Sequence, residues 1–173
     1  MKAIRQLAAS DQTDVLRINA ESLPGVARLD ENEIGRLLHL PNSHLAAEGA
    51  DHTVLGYALA FPSDAPYDGE EFHFLKRLQP EPFLYIDQVA VGATARRAGV
   101  ASALYEALAT YARHRRLAAM CCEVNLEPPN PGSLAFHQDA GFHRIGQLQT
   151  ADGRTVVLMI KPLRTTEERA RDP

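Results

Sequence analysis

Apolar side chains recur along the chain with two different spacings, and each spacing indicates one kind of secondary structure. A period of two is typical of a strand with one buried face, whereas spacings of three and four are typical of a helix. The sequence therefore predicts strands at 1–7, 44–47, 53–61, 83–91, 118–124, 142–148 and 155–160, and helices at 12–23, 31–40, 99–114 and 131–140. Asp11, Asp30 and Asn130 stand where N-cap residues are expected, and Gly141 follows the last helix.

Three consecutive elements define the expected architecture. The strand 83–91, the helix 99–114 and the strand 118–124 form a βαβ unit, whose two strands are expected to be parallel neighbours. The remaining strands indicate antiparallel hairpins. We therefore predict an α+β domain with a mixed sheet that is flanked by helices.

Residues 62–82 interrupt the succession of predicted strands and helices, because four prolines frame a polar segment that also holds three large apolar side chains. The prolines are Pro62, Pro66, Pro80 and Pro82, and the apolar side chains are Phe72, Phe74 and Leu75. A long connection without secondary structure is unusual in a compact domain and often functional. The alternative is a helical turn that packs the apolar side chains onto the surface, and the sequence leaves both interpretations open.

The composition favours a folded, soluble domain. The chain has 173 residues, of which 45% are hydrophobic and 23% are charged, so one core of ordinary size is expected. The formal net charge of −4 weighs against nucleic acid or an anionic membrane as a partner. Neither a membrane helix nor the apolar core of a signal peptide can be recognised, so a cytoplasmic protein is expected.

The cysteines and histidines do not form a recognisable metal site. Cys121 and Cys122 are adjacent within a predicted strand, which favours two core side chains over a disulfide framework or reactive thiols. Apart from His137, the histidines show no ligand spacing with Cys, Asp or Glu. We therefore expect no metal cofactor.

The segment 92–101, between the strand 83–91 and the following helix, is a candidate anion site. Its side chains are mostly short, so backbone N–H groups at the start of the helix are accessible, and the helix dipole favours negative charge there. Arg96 and Arg97 add positive charge, although two solvated arginines would look the same. The segment matches neither Gly-x-x-x-x-Gly-Lys-Ser/Thr nor Gly-x-Gly-x-x-Gly.

The same loop carries a family resemblance. Residues 96–101, Arg-Arg-Ala-Gly-Val-Ala, resemble the Arg/Gln-x-x-Gly-x-Gly/Ala loop of the GNAT (GCN5-related) N-acetyltransferases. Residues 130–142 are similar to the family's Asn-x-x-Ala/Ser-x-x-Phe-Tyr-x-x-x-Gly-Phe. The resemblance covers residues 1–162 and implies a single-domain GNAT fold: a twisted, largely antiparallel central sheet in which one parallel strand pair splays apart. Residues 163–173 are expected to be a charged, flexible tail.

The resemblance also implies acetyl-CoA as the cosubstrate and indicates which residues hold it. The pyrophosphate is expected on backbone N–H groups of the loop, and the pantetheine arm along the strand that ends at Val91. Asn130 has a rival role as a simple N-cap. The expected cofactor-binding residues are Val89, Ala90, Val91, Arg96, Arg97, Ala98, Gly99, Val100, Ala101, Ser102, Asn125, Asn130, Ser133 and Phe136.

Direct attack of an amine on the thioester requires a base, a donor to the carbonyl oxygen and an acid for the leaving thiolate. Asp87 and Glu123 are the candidate bases because each is a lone acid in an apolar strand, although either could be a structural carboxylate. The backbone N–H near Val89 is the candidate carbonyl donor. His137 stands where the family motif has the tyrosine that is the usual acid. An imidazolium could replace that tyrosine, or the histidine could be a surface side chain while water or the substrate supplies the proton.

The sequence therefore predicts an acetyl-CoA-dependent N-acetyltransferase that acts on a primary amine, either a small molecule or a peptide N-terminus. Two rivals stay open: a CoA-binding regulatory module without catalysis, and an acyltransferase that uses another acyl-CoA or a hydroxyl acceptor. Glu70, Glu71 and Glu81, with the negative net charge, favour a cationic amine. The fold does not identify the acceptor, and a homodimer is one option for the assembly.

Overall fold

The computed structural model describes residues 3–163, and the strands in this part of the chain form one mixed sheet. They are β1 (Ala3–Gln6), β2 (Leu45–Glu48), β3 (Val54–Pro62), β4 (Phe83–Val91), β5 (Ala119–Glu127), β6 (His143–Gln149) and β7 (Thr155–Pro162). The helices are α1 (Gln12–Ser22), α2 (Glu31–Leu38), α3 (Glu70–Leu78), α4 (Val100–His114) and α5 (Pro131–Asp139). The strand order is β1-β2-β3-β4-β5-β7-β6, with β4 and β5 parallel and the other neighbours antiparallel.

This topology confirms the predicted α+β class, the mixed sheet and the parallel strand pair of the βαβ unit. The expected tail beyond residue 163 lies outside the described residues, and the domain limits stay a prediction. Among residues 3–163, no helix is long and apolar enough to span a membrane.

Apolar side chains cover both faces of the sheet and form two layers of core. Helices α1, α2 and α3 pack on one face, and α4 packs on the other. Because β4 and β5 are buried on both faces, their sequences read as nearly continuous apolar runs. Cys121 belongs to the first layer and Cys122 to the second, and both are buried free thiols, which confirms their predicted place in the core.

Two of the three predicted helix caps are confirmed. The Asp30 carboxylate accepts a hydrogen bond from the Glu33 N–H at 2.8 Å, and the Asn130 side chain accepts one from the Ser133 N–H at 3.2 Å. Pro131 follows at the first helical position, where its missing N–H has no cost.

Asp11 occupies the predicted N-cap position of α1, but it does not act as a cap. Its side chain makes no capping bond to α1. Instead it accepts from the Ala8 N–H at 2.8 Å and from the Arg5 guanidinium at 2.7 and 2.9 Å. A 3₁₀ turn (Ala9–Asp11) precedes the helix, so Asp11 closes that turn and pairs with β1.

The segment 62–82 contains a helix rather than a long irregular connection. Helix α3 occupies nine residues of it. Phe72 and Leu75 are fully buried beneath the sheet face, and the Tyr67 ring stacks on Phe61 with ring centroids 4.1 Å apart. The apolar side chains of the segment therefore extend the core, and the segment forms one wall of the site described next.

Candidate active site

The site begins where the two parallel strands stop pairing. Residues Phe83–Ile86 of β4 lie opposite Ala119–Cys122 of β5, and the pairing ends there although both strands continue. Asp87 and Glu123 are the next residue on each strand. Side chains at paired positions share a face of the sheet, so the register brings these two acids together at the point of separation.

The backbone of β4 beyond this point faces an open gap. The Gly92 N–H donates to the Leu55 carbonyl of β3 at 2.9 Å, so the backbone groups of Ala90 also face β3. By the alternation of a strand, the N–H groups of Val89 and Val91 face the opposite way, toward β5. The Val91 carbonyl accordingly accepts a hydrogen bond from Arg96 Nε at 3.2 Å.

A cavity occupies the opening and connects the two faces of the sheet. Asp87 and Glu123 line it on the face covered by α1, α2 and α3, whereas Tyr105 and His137 line it on the face of α4 and α5. Among the other lining residues are Val89, Asn125, Asn130 and Ser133. The opening thus brings together both candidate bases, the candidate acid and four of the expected cofactor-binding residues.

The two acids are joined by tyrosine hydroxyls. The Tyr67 hydroxyl donates to Asp87 Oδ1 at 2.6 Å. The Tyr85 hydroxyl lies 2.9 Å from Glu123 Oε2 and 3.5 Å from Asp87 Oδ1. Burial raises the pKa of Asp87 to about 6, and burial together with the charge of Asp87 raises the pKa of Glu123.

His137 is buried, and its two ring nitrogens are both engaged. Nδ1 lies 2.7 Å from the Ser133 carbonyl oxygen, and Nε2 lies 2.6 Å from the Tyr105 hydroxyl. Because a carbonyl can only accept, this pattern assigns the ring proton to Nδ1 and makes the Tyr105 hydroxyl the donor to Nε2. Burial lowers the pKa of His137 and raises that of Tyr105, so both are neutral near pH 7.

The loop before α4 leaves N–H donors without helical partners. Gly99 is the N-cap residue with φ of +76° and offers no side chain, so the first-turn N–H groups of Val100, Ala101 and Ser102 have neither a cap nor an intrahelical carbonyl. Arg97 also has a positive φ, of 60°. A cleft beside this turn is lined by Val91, Ala95, Arg96, Arg97, Gly99, Val100, Ala101, Ser102 and Phe136.

Arg96 uses its side chain within the protein. Its guanidinium donates to the Glu21 carbonyl at 2.8 Å and to the Val91 carbonyl at 3.2 Å. The Glu21 carboxylate in turn accepts from the Ala93 N–H at 2.8 Å. These bonds fasten the loop to the end of α1, so a direct contact of this guanidinium with a phosphate stays a prediction.

The segment 130–142, which carries the second family motif, is bonded to β5 through Asn130. The Asn130 N–H donates to the Asn125 carbonyl at 3.2 Å, and the Asn125 side chain accepts from Arg154 at 3.3 Å. The Phe136 ring meets the Tyr105 ring edge-on, with centroids 5.2 Å apart. Asn130 therefore caps α5 and also lines the cavity, so its two predicted roles are compatible.

The loop between α1 and α2 forms a further wall of the cavity, and a buried asparagine holds it. The Asn19 side-chain amide donates to the Ala27 carbonyl at 2.9 Å, the Tyr57 hydroxyl at 3.1 Å and Gln88 Oε1 at 3.2 Å. Its oxygen accepts from the Leu29 N–H at 3.0 Å. Residues 25–29 are thereby fixed against β3 and β4.

Several site residues were not expected from the sequence. They are Tyr67, Tyr85, Tyr105 and Arg154. Tyr85 had one local signal, since it precedes Asp87 by two residues and shares its face. The others reach the site through contacts distant in sequence, such as the 2.9 Å bond from Arg154 to Glu71. No group of three or more His, Cys, Asp or Glu side chains suited to a metal ion occurs within residues 3–163.

Comparison with known proteins gives a family and a fold. A family model described as the Acetyltransferase (GNAT) family matches residues 3–142 of the chain, whereas no curated protein matches it. Ard1 from Thermoplasma volcanium is 23% identical, with a TM-score of 0.75 over 95% of this chain and 99% of that one. The ribosomal-protein-S18-alanine N-acetyltransferase from Escherichia coli is 16% identical, with a TM-score of 0.73 over 96% of both chains. The structure of yncA from Salmonella typhimurium, solved with its cofactor acetyl-CoA, is 18% identical, with a TM-score of 0.67 over 95% of both.

Proposed function

Because the chain belongs to the acetyltransferase (GNAT) family, we propose that it transfers the acetyl group of acetyl-CoA to a primary amine by direct attack in a ternary complex. One observation carries this proposal: the gap between β4 and β5 has carboxylates on one face and a phenol–imidazole pair on the other, beside an uncapped helix N-terminus. The acetyl-CoA in the yncA structure supports the choice of cofactor.

The cofactor would lie along the gap from the loop to the cavity. Its pyrophosphate would accept hydrogen bonds from backbone N–H groups of residues 97–102, among them the uncapped N–H groups of Val100, Ala101 and Ser102 at the start of α4. The pantetheine arm would pair with the outward-facing backbone of Val89 and Val91. The thioester would then lie in the cavity, where the Val89 N–H is the proposed donor to its carbonyl oxygen.

The protein assists two proton movements in opposite directions, and the nitrogen loses a further proton to solvent as the neutral amide forms. A carboxylate on the α1–α3 face takes a proton from the substrate ammonium, and the amine lone pair then forms the C–N bond at the thioester carbon. The C–S bond breaks as the tetrahedral intermediate collapses, and the thiolate sulfur leaves with the electron pair. A proton donor on the α4–α5 face converts that thiolate to the thiol.

We assign the donor step to the His137–Tyr105 pair, with the Tyr105 hydroxyl as the group that gives up its proton. The Nδ1 proton of His137 is held by the Ser133 carbonyl, and its lowered pKa makes an imidazolium scarce at neutral pH. His137 is then a positioning residue that orients the phenol. The transfer of a Tyr105 proton to sulfur is completed when the phenolate takes up a proton from solvent.

The acceptor we propose is a cationic amine, with a peptide N-terminus as the first class to test. Of the acids that suggested a cation, Glu71 is bound by Arg154 and Glu70 accepts from the Ala151 N–H at 2.9 Å. The preference for an ammonium therefore rests on Asp87 and Glu123. The Escherichia coli neighbour is named for an alanine of ribosomal protein S18, which supports a protein N-terminus.

A panel of amines incubated with acetyl-CoA tests the function. We expect thiol release and a mass increase of one acetyl group for lysine-free peptides with a free N-terminus, and neither for the same peptides with a blocked N-terminus. Binding of acetyl-CoA without thiol release from any peptide or small amine would favour the regulatory module. Faster thiol release from a longer acyl-CoA than from acetyl-CoA would favour an acyltransferase that uses another acyl-CoA.

Replacement of Gly99 with valine is expected to weaken acetyl-CoA binding by at least about tenfold, or about 1.4 kcal/mol. A Cβ would obstruct the approach of a diphosphate, and a positive φ is unfavourable for valine. Titration calorimetry measures the affinity. Gly141→Val is the matched control, because Gly141 has a φ of +89° but lies outside the loop. Equal affinity for the folded Gly99 variant and the wild type would argue against the phosphate-binding loop.

Acetyl-CoA is expected to raise the melting temperature in a concentration-dependent manner, because it binds the native state alone. ATP and NAD should raise it much less, since neither has a pantetheine arm to pair with Val89 and Val91. A thermal-shift series with the three ligands at equal concentration makes the comparison. The same increase with all three would indicate general anion binding.

A further inference from the structure

The two carboxylates at the opening are partly buried and have no cation as an ion-pair partner. Within residues 3–163, no ion pair joins Asp87 or Glu123 to a lysine, arginine or histidine. The nearby Arg154 is already bound to Glu71 and Asp152. Two adjacent, partly buried negative charges without a counter-ion are costly, so such pairs retain a proton.

The hydrogen bonds around the acids fit one proton and one negative charge. Tyr85 has a single hydroxyl proton, so it can donate to only one of the two carboxylates that it contacts. If Glu123 is protonated, it donates to the Tyr85 oxygen, and the Tyr85 proton is free for Asp87. The resulting chain runs from Glu123 through Tyr85 to Asp87, with Tyr67 donating from the other side. Every hydroxyl proton in this chain then has an acceptor.

We propose that Asp87 and Glu123 share one proton that resides on Glu123, which leaves Asp87 as the ionised base. The short 2.6 Å contact from Tyr67 to Asp87 agrees, because hydrogen bonds to an ionised acceptor are the shorter ones. Glu123, Tyr85 and Tyr67 are positioning residues in this arrangement, and Asp87 is the residue that meets the substrate ammonium. The catalytic consequence rests on the proposed amine acetylation, whereas the shared proton does not.

The surrounding acids favour retention of a proton by the pair, and one arginine opposes it. The titratable and charged groups that face the pair or line the same cavity are Arg28 between α1 and α2, Tyr57 of β3, Tyr67 before α3, Glu71 of α3, Glu33 of α2 with its partner Arg36, Tyr85 of β4, Arg154 before β7, and Tyr105, Cys122 and His137 on the other face. Glu71 opposes ionisation of both acids, whereas the Tyr85 hydroxyl and Arg154 favour ionisation of Glu123. The raised pKa of each acid follows mainly from burial.

Infrared difference spectroscopy tests the proton without any need for activity. At pH 7.5 we expect the wild-type protein to show a C=O band of one buried, protonated carboxyl group that is missing from Glu123→Gln and present in Asp87→Asn. No such band in the wild type, or a band lost in Asp87→Asn and retained in Glu123→Gln, would overturn the assignment. This result stands even if no amine is acetylated, which would count against the proposed function alone.

Kinetics test the division of roles between the two acids. We expect Asp87→Asn to lower kcat/KM at least about hundredfold and Glu123→Gln only about fivefold, because glutamine resembles a protonated glutamic acid. Loss of kcat/KM in Glu123→Gln that equals the loss in Asp87→Asn would make Glu123 the base and overturn the proposal.

The pH profile tests the positioning role of Tyr67. In the wild type, kcat/KM should fall as the pH drops through about 6, where Asp87 takes up a proton. Tyr67→Phe removes a hydrogen bond that favours the carboxylate, so the pKa of Asp87 rises and the acidic limb moves to higher pH. Tyr111→Phe, in a tyrosine that does not line the cavity, should leave the limb in place. If the acidic limb of the kcat/KM profile stays in place in Tyr67→Phe, the Tyr67 hydroxyl does not stabilise an ionised Asp87, and its positioning role is wrong.

Discussion

Replacement of Tyr105 with phenylalanine is expected to lower kcat for amine acetylation about hundredfold, with acetyl-CoA affinity changed by less than about threefold. The substitution keeps the ring that packs against Phe136 and removes the hydroxyl that donates to His137 Nε2. Only the proton for the leaving thiolate is lost, and that proton matters in the transition state rather than in the bound complex. Steady-state kinetics with the preferred amine give kcat, and calorimetry gives the affinity.

Variants of His137 separate the two possible acids. If His137 orients Tyr105, His137→Phe should cost about tenfold in kcat, less than the loss of the phenol itself. If His137 is the acid, as first predicted from the motif, His137→Phe should cost about hundredfold and His137→Tyr should recover part of that loss. Full kcat in Tyr105→Phe would remove the acid role from the phenol. Tyr111→Phe, on the same helix but away from the cavity, controls for general effects on α4.

Replacement of Asn19 with alanine is expected to destabilise the protein by about 3 kcal/mol. Asn19 is buried and is the acceptor for the buried Leu29 N–H, and a buried group left without a partner costs about 1–3 kcal/mol. Urea unfolding measures the free energy, and an unchanged m-value would show that the native and denatured states keep their exposed areas.

A matched control for this variant is Asn42→Ala. Asn42 also donates to a loop carbonyl, that of Leu40 at 2.6 Å, but it is only partly buried, so water can replace the lost bonds and about 1 kcal/mol is expected. Equal losses in the two variants would mean that burial of Asn19 adds nothing. The KM for the acceptor should rise in Asn19→Ala alone, because residues 25–29 line the cavity.

The sequence was most informative where a residue's role depends on its own strand. Asp87 and Glu123 are each the first carboxylate after a run of buried positions, so both could be recognised as unusual without knowledge of their neighbours. The βαβ unit then made their two strands parallel, and in the register each acid is the first residue after the last paired position. The family and the fold followed from two loop motifs of the same unit and of α5.

Roles that depend on distant partners could not be predicted. Tyr105 has the spacing of a core residue on α4, and its hydroxyl gains a function only because α5 places His137 against it. Asp11 has the position of a cap, but Arg5 competes for its carboxylate. Tyr67 stands in a proline-rich segment whose helix forms because Phe72 and Leu75 find a core to enter. In each case the local sequence fits more than one role, and tertiary contacts determine which role the residue has.

The opening through the sheet gives the protein two half-sites whose side chains belong to different packing layers. Residues that would select the amine come from α1, α2 and α3, whereas those that would hold the nucleotide come from α4 and α5. Well-separated sites without shared partners respond to substitution almost additively. Apart from Glu21, whose bonds to Arg96 and Ala93 couple α1 to the cofactor loop, acceptor preference can therefore diverge through changes in the first layer while the cofactor half keeps its affinity. A scaffold of this kind can acquire new substrates by small, largely independent steps.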